Sequence, residues 1–330
     1  MLLDKKIKLG QFFTLKTNWL LPHIKEFIKK SNCSIAYDPF AGAGDLLSIS
    51  DLYGISKTYG LDIDQTLNWE YNDSLINIPH LNEAIIITNP PYLAKNSATR
   101  KKIDLWSYFK NSIYEDLYLI ALDKMLAAQK YVVAIIPESF INSNFKNKKL
   151  LSSITILESN PFSDTEVPVC IACFDGINKD YNQIKVYKND SFFNNLAAIN
   201  NIRLIPSNNI NISFNDLSGW LGIRCVDKTD DKTFIKFDLK ENIQYDFTNK
   251  IKDTSRHYTL VNINIIEQKR IEFVKICNTI LEEIRKDSAD TILTPFMGNT
   301  KKGIRRRRLD FRLARAIMES AYTTLLEVKA

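Results

Sequence analysis

Asn89-Pro90-Pro91-Tyr92 is the segment of this 330-residue chain whose residue types and spacing are best suited to chemistry. Two consecutive prolines remove two backbone donors and hold the chain in an extended turn. The Asn89 amide oxygen and the Pro90 carbonyl become rigid acceptors, with the Tyr92 ring beside them. Two preorganised acceptors can hold both hydrogens of a planar NH₂ group. The ring can stack on the heterocycle that carries that amine. An Asn-Pro turn is common, but the whole tetrapeptide directly after an apolar run, 84–88, is not.

Two further segments complement it. Asp38-Pro39-Phe40-Ala41-Gly42-Ala43-Gly44-Asp45 lies between an apolar run and a helical stretch, 46–52. Gly42 and Gly44 there let the backbone approach a ligand closely at the carboxyl edge of a sheet. No Gly-Lys-Ser/Thr follows, so it is not a P-loop, and the third glycine of the dinucleotide pattern is missing. Asp62, followed by Ile63, ends the next apolar run about 20 residues on, where a carboxylate can accept both hydroxyls of a ribose. The pair implies a nucleoside-bearing cofactor.

In this order, over residues 8–178, the chain resembles the amino-group methyltransferases, specifically the γ-class N6-adenine DNA methyltransferases of type II restriction–modification systems. The resemblance implies S-adenosylmethionine as cofactor. Gly10-Gln11-Phe12-Phe13-Thr14 is similar to the family motif that closes over the methionine end of the cofactor, so Phe13 and Thr14 are expected to touch it. Asp38, Pro39, Gly42 and Gly44 match the Gly-rich cofactor motif, and Asp62 with Ile63 the ribose-binding acid. Asp73 and Ser74, in Asn72-Asp73-Ser74-Leu75, stand where the family keeps an Asp for the cofactor's adenine amine. Asn89, Pro90 and Tyr92 match the catalytic motif, with Asn89 and Pro91 also bordering the cofactor. The segment 134–140 resembles the next strand–loop motif. Phe162, five residues before Val167, sits where the family stacks a second ring on the flipped adenine; Phe140 is the competing ring.

What the resemblance implies chemically is simple. The adenine N6 lone pair is delocalised into the ring. Acceptance of its hydrogens by Asn89 and Pro90 would favour sp³ character and aim the lone pair at a sulfonium methyl, with no metal required. The base would leave the duplex at a cost of a few kcal/mol. Stacking on Tyr92 and Phe162, at about 1–3 kcal/mol per aromatic contact, would offset much of that.

The elements that must position these residues follow from periodicity. Runs 34–37, 58–63, 84–88, 131–136, 153–157 and 167–174 are apolar, β-branched or aromatic, as strands buried on both faces require. Helices are expected over 19–30, after the N-cap Asn18, and over 116–129, where Leu119, Leu122, Met125 and Leu126 share a face. Alternation of this kind predicts an α/β fold. The resemblance makes it a doubly wound Rossmann-like methyltransferase sheet, with a C-terminal target-recognition domain of mixed structure. The boundary is expected near 176, giving a catalytic domain 1–176 and a basic domain 177–330. Helices are expected at 265–286 and 308–328.

Charge supports that division. Residues 1–175 carry 18 basic and 19 acidic side chains, and 176–330 carry 26 and 19. A basic second half points to a polyanion. Its densest cluster, Arg305, Arg306, Arg307 and Arg308 with Arg312 and Arg315 continuing along a helix face, is expected to contact DNA phosphates. A solvated basic terminus would read the same way. Arg203, Arg224 and Arg256 are more scattered. Composition, 45% hydrophobic and 25% charged, excludes intrinsic disorder.

No run of about 18 apolar residues predicts a membrane span. Five cysteines and no signal-peptide pattern suit a reducing cytoplasm, bacterial or viral. Cys170 and Cys173 have redox spacing but read as core residues, and three dispersed histidines argue against a zinc site. The expected partner is double-stranded DNA, met by a monomer; a separately encoded cognate restriction endonuclease is an open second partner. The same tetrapeptide serves RNA adenine and protein glutamine N5 methylation, and these stay open as alternatives. Asn89 favours adenine over cytosine N4, whose motif more often begins with Ser.

Overall fold

Six apolar runs become strands of one sheet. The structure, a computed structural model, describes residues 17–162, 167–230, 234–301 and 304–327. The expected motif at Gly10–Thr14, with Phe13 and Thr14, lies outside the described residues. The chain divides into two units, Met1–Ala197 and Ala198–Ala330.

In the first unit nine strands form one sheet in the order β3-β2-β1-β4-β5-β7-β6-β8-β9. They are β1 Ile35–Asp38, β2 Lys57–Asp62, β3 Glu70–Tyr71, β4 Ala84–Thr88, β5 Val132–Pro137, β6 Leu151–Ile156, β7 Val169–Phe174, β8 Lys185–Lys188 and β9 Ser191–Asn195. Strands β3, β2, β1, β4 and β5 are mutually parallel, while β7 runs antiparallel between β5 and β6. Central strands β4 and β7 are buried at every position, because helices and loops cover both faces. The chain reverses its direction of strand addition between β1 and β4, and there the carboxyl ends of the strands open a crevice.

Helix α1, Pro22–Lys30, starts at a proline rather than after Asn18. The fixed φ of Pro22 suits a first helical position, and the Asn18 amide donates instead to Ser159 Oγ at 2.8 Å. The Gly-rich turn leads into the short helix α2, Asp45–Ser48. Two more short helices, α3 Lys95–Arg100 and α4 Trp106–Phe109, follow the Asn89–Tyr92 tetrapeptide. Helix α5, Leu117–Ala128, then returns the chain to β5.

The division falls after Ala197, not near 176. Strand β8 pairs in parallel with β6, and β9 with β8, so residues 185–195 extend the catalytic sheet instead of opening a new core. Helix α6, Leu196–Ile202, carries the chain into the second unit.

That unit has a four-stranded antiparallel sheet, order β10-β13-β11-β12, and a hairpin of β14 and β15. The strands are β10 Ile212–Phe214, β11 Leu221–Arg224, β12 Lys236–Leu239, β13 Tyr258–Ile263, β14 Thr294–Asn299 and β15 Arg305–Arg308. A short helix α7, Phe247–Lys250, precedes β13. The long helices α8, Arg270–Asp287, and α9, Phe311–Glu327, share a core with the sheet through Phe237, Phe273, Leu281 and Ile317. Arg308 therefore ends a strand and does not begin the last helix, which starts after Asp310. Among the described residues no helix is long and apolar enough to cross a membrane.

Candidate active site

The described candidates of the first unit lie at the carboxyl ends of β1, β2, β3, β4 and β6 or on the loops that follow them. At the end of β1, Asp38 is 2% exposed and its Oδ1 accepts from Phe40 N at 2.9 Å and from Thr88 Oγ1 at 2.5 Å. Asp38 thus ties the start of the Gly-rich turn to the end of β4. Both bonds frame the turn from within the chain. Burial pushes its carboxyl up to about 7, against the lowering effect of those two hydrogen bonds.

Gly42 and Gly44 have φ of +55° and +85°, left-handed values that glycine adopts without strain. Gly42 N donates to Asp62 Oδ2 at 2.7 Å, and Asp64 N donates to Asp62 Oδ1 at 2.8 Å. A carboxylate oxygen carries more than one acceptor site, so Asp62 is oriented by these bonds and retains acceptor capacity. Sequence reasoning missed Trp69, whose indole N–H donates to the Gly42 carbonyl at 2.9 Å. Its ring fills the space where Gly44 or Gly60 would carry a Cβ, at 2.8 and 2.5 Å.

Beside this turn runs an open cleft with about 510 Å³ of empty space. Pro39, Asp62, Ile63, Asp73, Ser74 and Pro91, all anticipated from sequence, line it. Phe40, Leu105 and Tyr108 were not anticipated and line it too. Tyr108 Oη donates to Asp73 Oδ2 at 2.8 Å, and Leu75 N donates to Asp73 Oδ1 at 3.2 Å. Burial, then the bond to Asp73, pushes the Tyr108 phenol up to about 12. No periodicity marked Tyr108 or Trp69, since both lie between the longer elements.

The tetrapeptide meets both this cleft and a second aromatic ring. Pro91 lines the cleft, while Tyr92 packs on Phe162 with ring centroids 6.2 Å apart and planes at 56°. The Tyr92 hydroxyl bonds to Asn89 Oδ1 and to the Ile135 carbonyl, the latter at 2.8 Å. Burial raises that phenol well above its ordinary value. Phe162 is 3% exposed, fixed by Asn160, whose Oδ1 accepts from Phe162 N at 3.0 Å and whose amide donates to the Val167 carbonyl at 3.1 Å. Phe140, the competing ring, is fully buried against Phe145 and Phe174, a core position. Tyr92 and Phe162 lean on one another at a tilt, so a base held between them requires the rings to part and turn parallel.

Cys170 and Cys173 are fully buried on β7, and burial pushes the Cys173 thiol up to about 12. Neither is presented as a nucleophile.

In the second unit the basic run is strand β15, in which Arg307 is buried and its three neighbours are half-buried. Arg307 is 3% exposed, and its backbone N–H donates to Asp227 Oδ2 at 3.0 Å. Arg305, Arg306 and Arg308 are half-buried, and Arg306 lies over the Phe296 ring at 4.8 Å. Arg312 is exposed. Arg315 points its guanidinium at the carbonyls of Ile210 and Ile212, at 3.2 and 2.5 Å. Arg307 and Arg315 thus serve the unit's own packing, leaving Arg312 the most accessible of the six. Of the scattered arginines, Arg256 is exposed and stacks over Phe311 at 4.9 Å, while Arg224 lies over Tyr258 at 5.8 Å.

The strand order, the switch point between β1 and β4 and the reversed β7 define a doubly wound, Rossmann-like sheet. No family model matches the chain, and no curated protein matches it. Solved structures similar to it include a type I restriction-modification system methyltransferase subunit from Streptococcus thermophilus. That likeness has 16% identity, covers 54% of this chain and 47% of the other, and has a TM-score of 0.36. An rRNA methylase from Streptococcus thermophilus is similar at 14% identity over 47% of this chain and 94% of its own, with a TM-score of 0.27. The match thus spans about half the length of the first of these. The fold class rests on the strand order itself.

Proposed function

We propose that the chain is an S-adenosylmethionine-dependent methyltransferase that modifies N6 of an adenine flipped out of a short sequence in double-stranded DNA. The observation that carries this reading is the position of Asn89–Tyr92 between the cleft and Phe162. Pro91 faces a cleft walled by Pro39, Phe40 and Ile63, with Asp62 and Asp73 at its polar positions, and Tyr92 faces Phe162. The cleft fits an adenosine: apolar walls for a flat base, Asp62 for the ribose hydroxyls and Asp73 for an amine. When bound, S-adenosylmethionine supplies an electrophilic methyl group on a positively charged sulfur.

The chain's own residues do the rest. Asn89 Oδ1 and the Pro90 carbonyl accept the two hydrogens of the target amine and direct its lone pair towards the cleft. The Tyr92 hydroxyl, which now bonds to Asn89 Oδ1, gives that acceptor up and turns wholly to the Ile135 carbonyl. Tyr92 and Phe162 hold the base by its faces. Placement of two reactants in this way can contribute roughly 7–11 kcal/mol to lowering the barrier. Arg312, with Arg305, Arg306 and Arg308, meets phosphates of the target. The enzyme works as a monomer in the cytoplasm, protecting host DNA beside a separately encoded restriction endonuclease.

The test is base-resolved mapping of methylated adenine in DNA exposed to the purified protein and S-adenosylmethionine, with Asn89→Ala as control. Methyl-adenine confined to one short motif and absent with the variant is expected. A protein that binds the cofactor yet methylates no DNA base overturns the reading, and RNA and glutamine-containing peptides are then the substrates to try.

A further inference from the structure

Between the catalytic tetrapeptide and helix α5 the chain makes an excursion, residues 94–116, closed at its base. Ala94 forms an antiparallel bridge with Asp116, Lys95 N donates to the Glu115 carbonyl at 2.8 Å, and Leu117 N donates to the Leu93 carbonyl at 3.2 Å. A second tie holds it from within, the Tyr108–Asp73 hydrogen bond inside the cleft. The excursion is thus anchored two residues from Tyr92 and at the cleft, and the exposed residues between these ties form its outer face.

That face has one sign of charge. Residues 95–110 carry Lys95, Arg100, Lys101, Lys102 and Lys110 against the single acid Asp104. Arg100, Lys101, Lys102 and Lys110 are exposed. Among them stands Trp106, 64% exposed, with Lys95 Nζ 5.9 Å from its ring centroid. An exposed indole in a basic field combines the two features that bind nucleic-acid strands: cations for phosphates and a flat ring for a base.

We propose that the outer face of residues 95–110 is a second nucleic-acid contact, in which Arg100, Lys101 and Lys102 take successive phosphates and Trp106 stacks on a base beside the target. It rests on the reading of the protein as a nucleic-acid methyltransferase and adds a contact within the catalytic unit, independent of the arginines of the second unit. An acidic protein would use the charges but would not need the indole; an anionic lipid surface would use both, and the vesicle arm of the test separates it.

The test uses the full chain and a fluorescent duplex oligonucleotide carrying one of the methylated sites, with affinity measured across salt concentrations. In Arg100→Ala/Lys101→Ala/Lys102→Ala, the slope of log affinity against log salt should become shallower by about 2–3, one phosphate contact accounting for about 0.9. Cofactor affinity and thermal stability should match the parent. In the parent, duplex should quench the exposed-indole fluorescence, and Trp106→Phe should abolish that quenching. An unchanged slope, or quenching that survives Trp106→Phe, overturns the proposal. Binding of the parent to anionic phosphatidylserine vesicles but not to duplex overturns it too, and also the nucleic-acid reading. A parent that binds and methylates duplex while the triple variant binds equally well sinks this proposal alone.

Discussion

The Tyr92 hydroxyl donates to the side-chain oxygen of Asn89, the oxygen that the proposed function assigns to the target amine. In the form described the acceptor is occupied by its own neighbour, and the hydroxyl has a second acceptor at Ile135 to turn to. Under the proposed function Tyr92 is both a stacking ring and the neighbour that holds a half-buried amide oxygen before the target arrives.

The two roles separate by mutation. Tyr92→Phe removes the hydroxyl and keeps the ring, so methylation should persist, within about tenfold of the parent, because loss of one neutral hydrogen bond costs about 1 kcal/mol. Tyr92→Ala should lose stacking worth about 1–3 kcal/mol and show mainly weaker binding of the target. Asn89→Ala removes an acceptor aimed at the reacting amine, and turnover should fall by about 10²–10³ with cofactor affinity little changed. Single-turnover kinetics beside cofactor titration check all three; equal losses in Tyr92→Phe and Tyr92→Ala would assign the hydroxyl the larger part.

Asp62 is oriented by two backbone donors, Gly42 N and Asp64 N. If its remaining acceptor sites take the ribose hydroxyls, Asp62→Ala loses hydrogen bonds to a charged group, about 1.5–3 kcal/mol each. Calorimetric titration should then show cofactor affinity at least tenfold weaker. Tyr108→Phe, which frees one oxygen of Asp73, should change affinity for S-adenosylmethionine in the opposite direction to Asp73→Ala. Matching losses in the two would mean that Tyr108 is needed to orient the carboxylate.

Asp38 makes stability depend on pH. Its folded carboxyl stands at about 7, raised by burial, against an ordinary value of 3.8. Between those values the folded chain holds a proton that the unfolded chain has released. Stability from this group is therefore full below the unfolded value and declines as pH rises through about 7. Thermal unfolding in the absence of cofactor should show Tm falling from about pH 5 to about pH 8, and Asp38→Asn should flatten that part of the profile. A profile that is the same in parent and variant would show that the turn ionises Asp38 without penalty.

Much of this site was legible because its positions obey local rules. The run 84–88 became β4 with the same bounds, and the prolines after it marked where the strand must stop. Asp62 and Gly42 announced themselves by spacing, and they are joined by a hydrogen bond across 20 residues. Trp69 and Tyr108 left no such signal, since nothing local dictates that a loop tryptophan packs against Gly44 and Gly60, or that Tyr108 reaches Asp73 across 35 residues. Strands β8 and β9 were hidden for a different reason. They lie towards the edge of the sheet with few buried positions, so residues such as Lys185 and Asn195 give no apolar run. Four consecutive arginines gave no strand pattern either; β15 forms because β14 supplies the backbone partners.

What fixes that basic strand is Asp227, 2% exposed. Its oxygens accept from Arg285 Nη1 and Nη2, both at 3.1 Å, from Ile235 N at 3.1 Å and from Arg307 N at 3.0 Å. One carboxylate thus joins helix α8 to the start of β12 and to β15. Asp227→Ala strips the half-buried Arg285 guanidinium of one of its two carboxylates, leaving Asp290, and orphans two backbone donors at about 1–3 kcal/mol each. Denaturant unfolding checks this, with Asp227→Asn expected to lose less because it retains an acceptor.

The arginines of the second unit should then divide by what they touch. Arg315 donates to the Ile210 and Ile212 carbonyls and faces Glu319 at 3.8 Å, so Arg315→Ala should lower stability by about 1–3 kcal/mol through orphaned carbonyls. Arg312 is exposed, and Arg312→Ala should leave stability within about 0.5 kcal/mol. If Arg312 meets a phosphate, the same substitution weakens duplex binding uniformly across sequences and makes the salt slope shallower by about 1. Measured side by side, the two variants should therefore be opposites, one unfolding early and the other binding poorly. A reversal would place the nucleic acid on the face of α9 that carries Arg315 and free Arg312 from any role in binding.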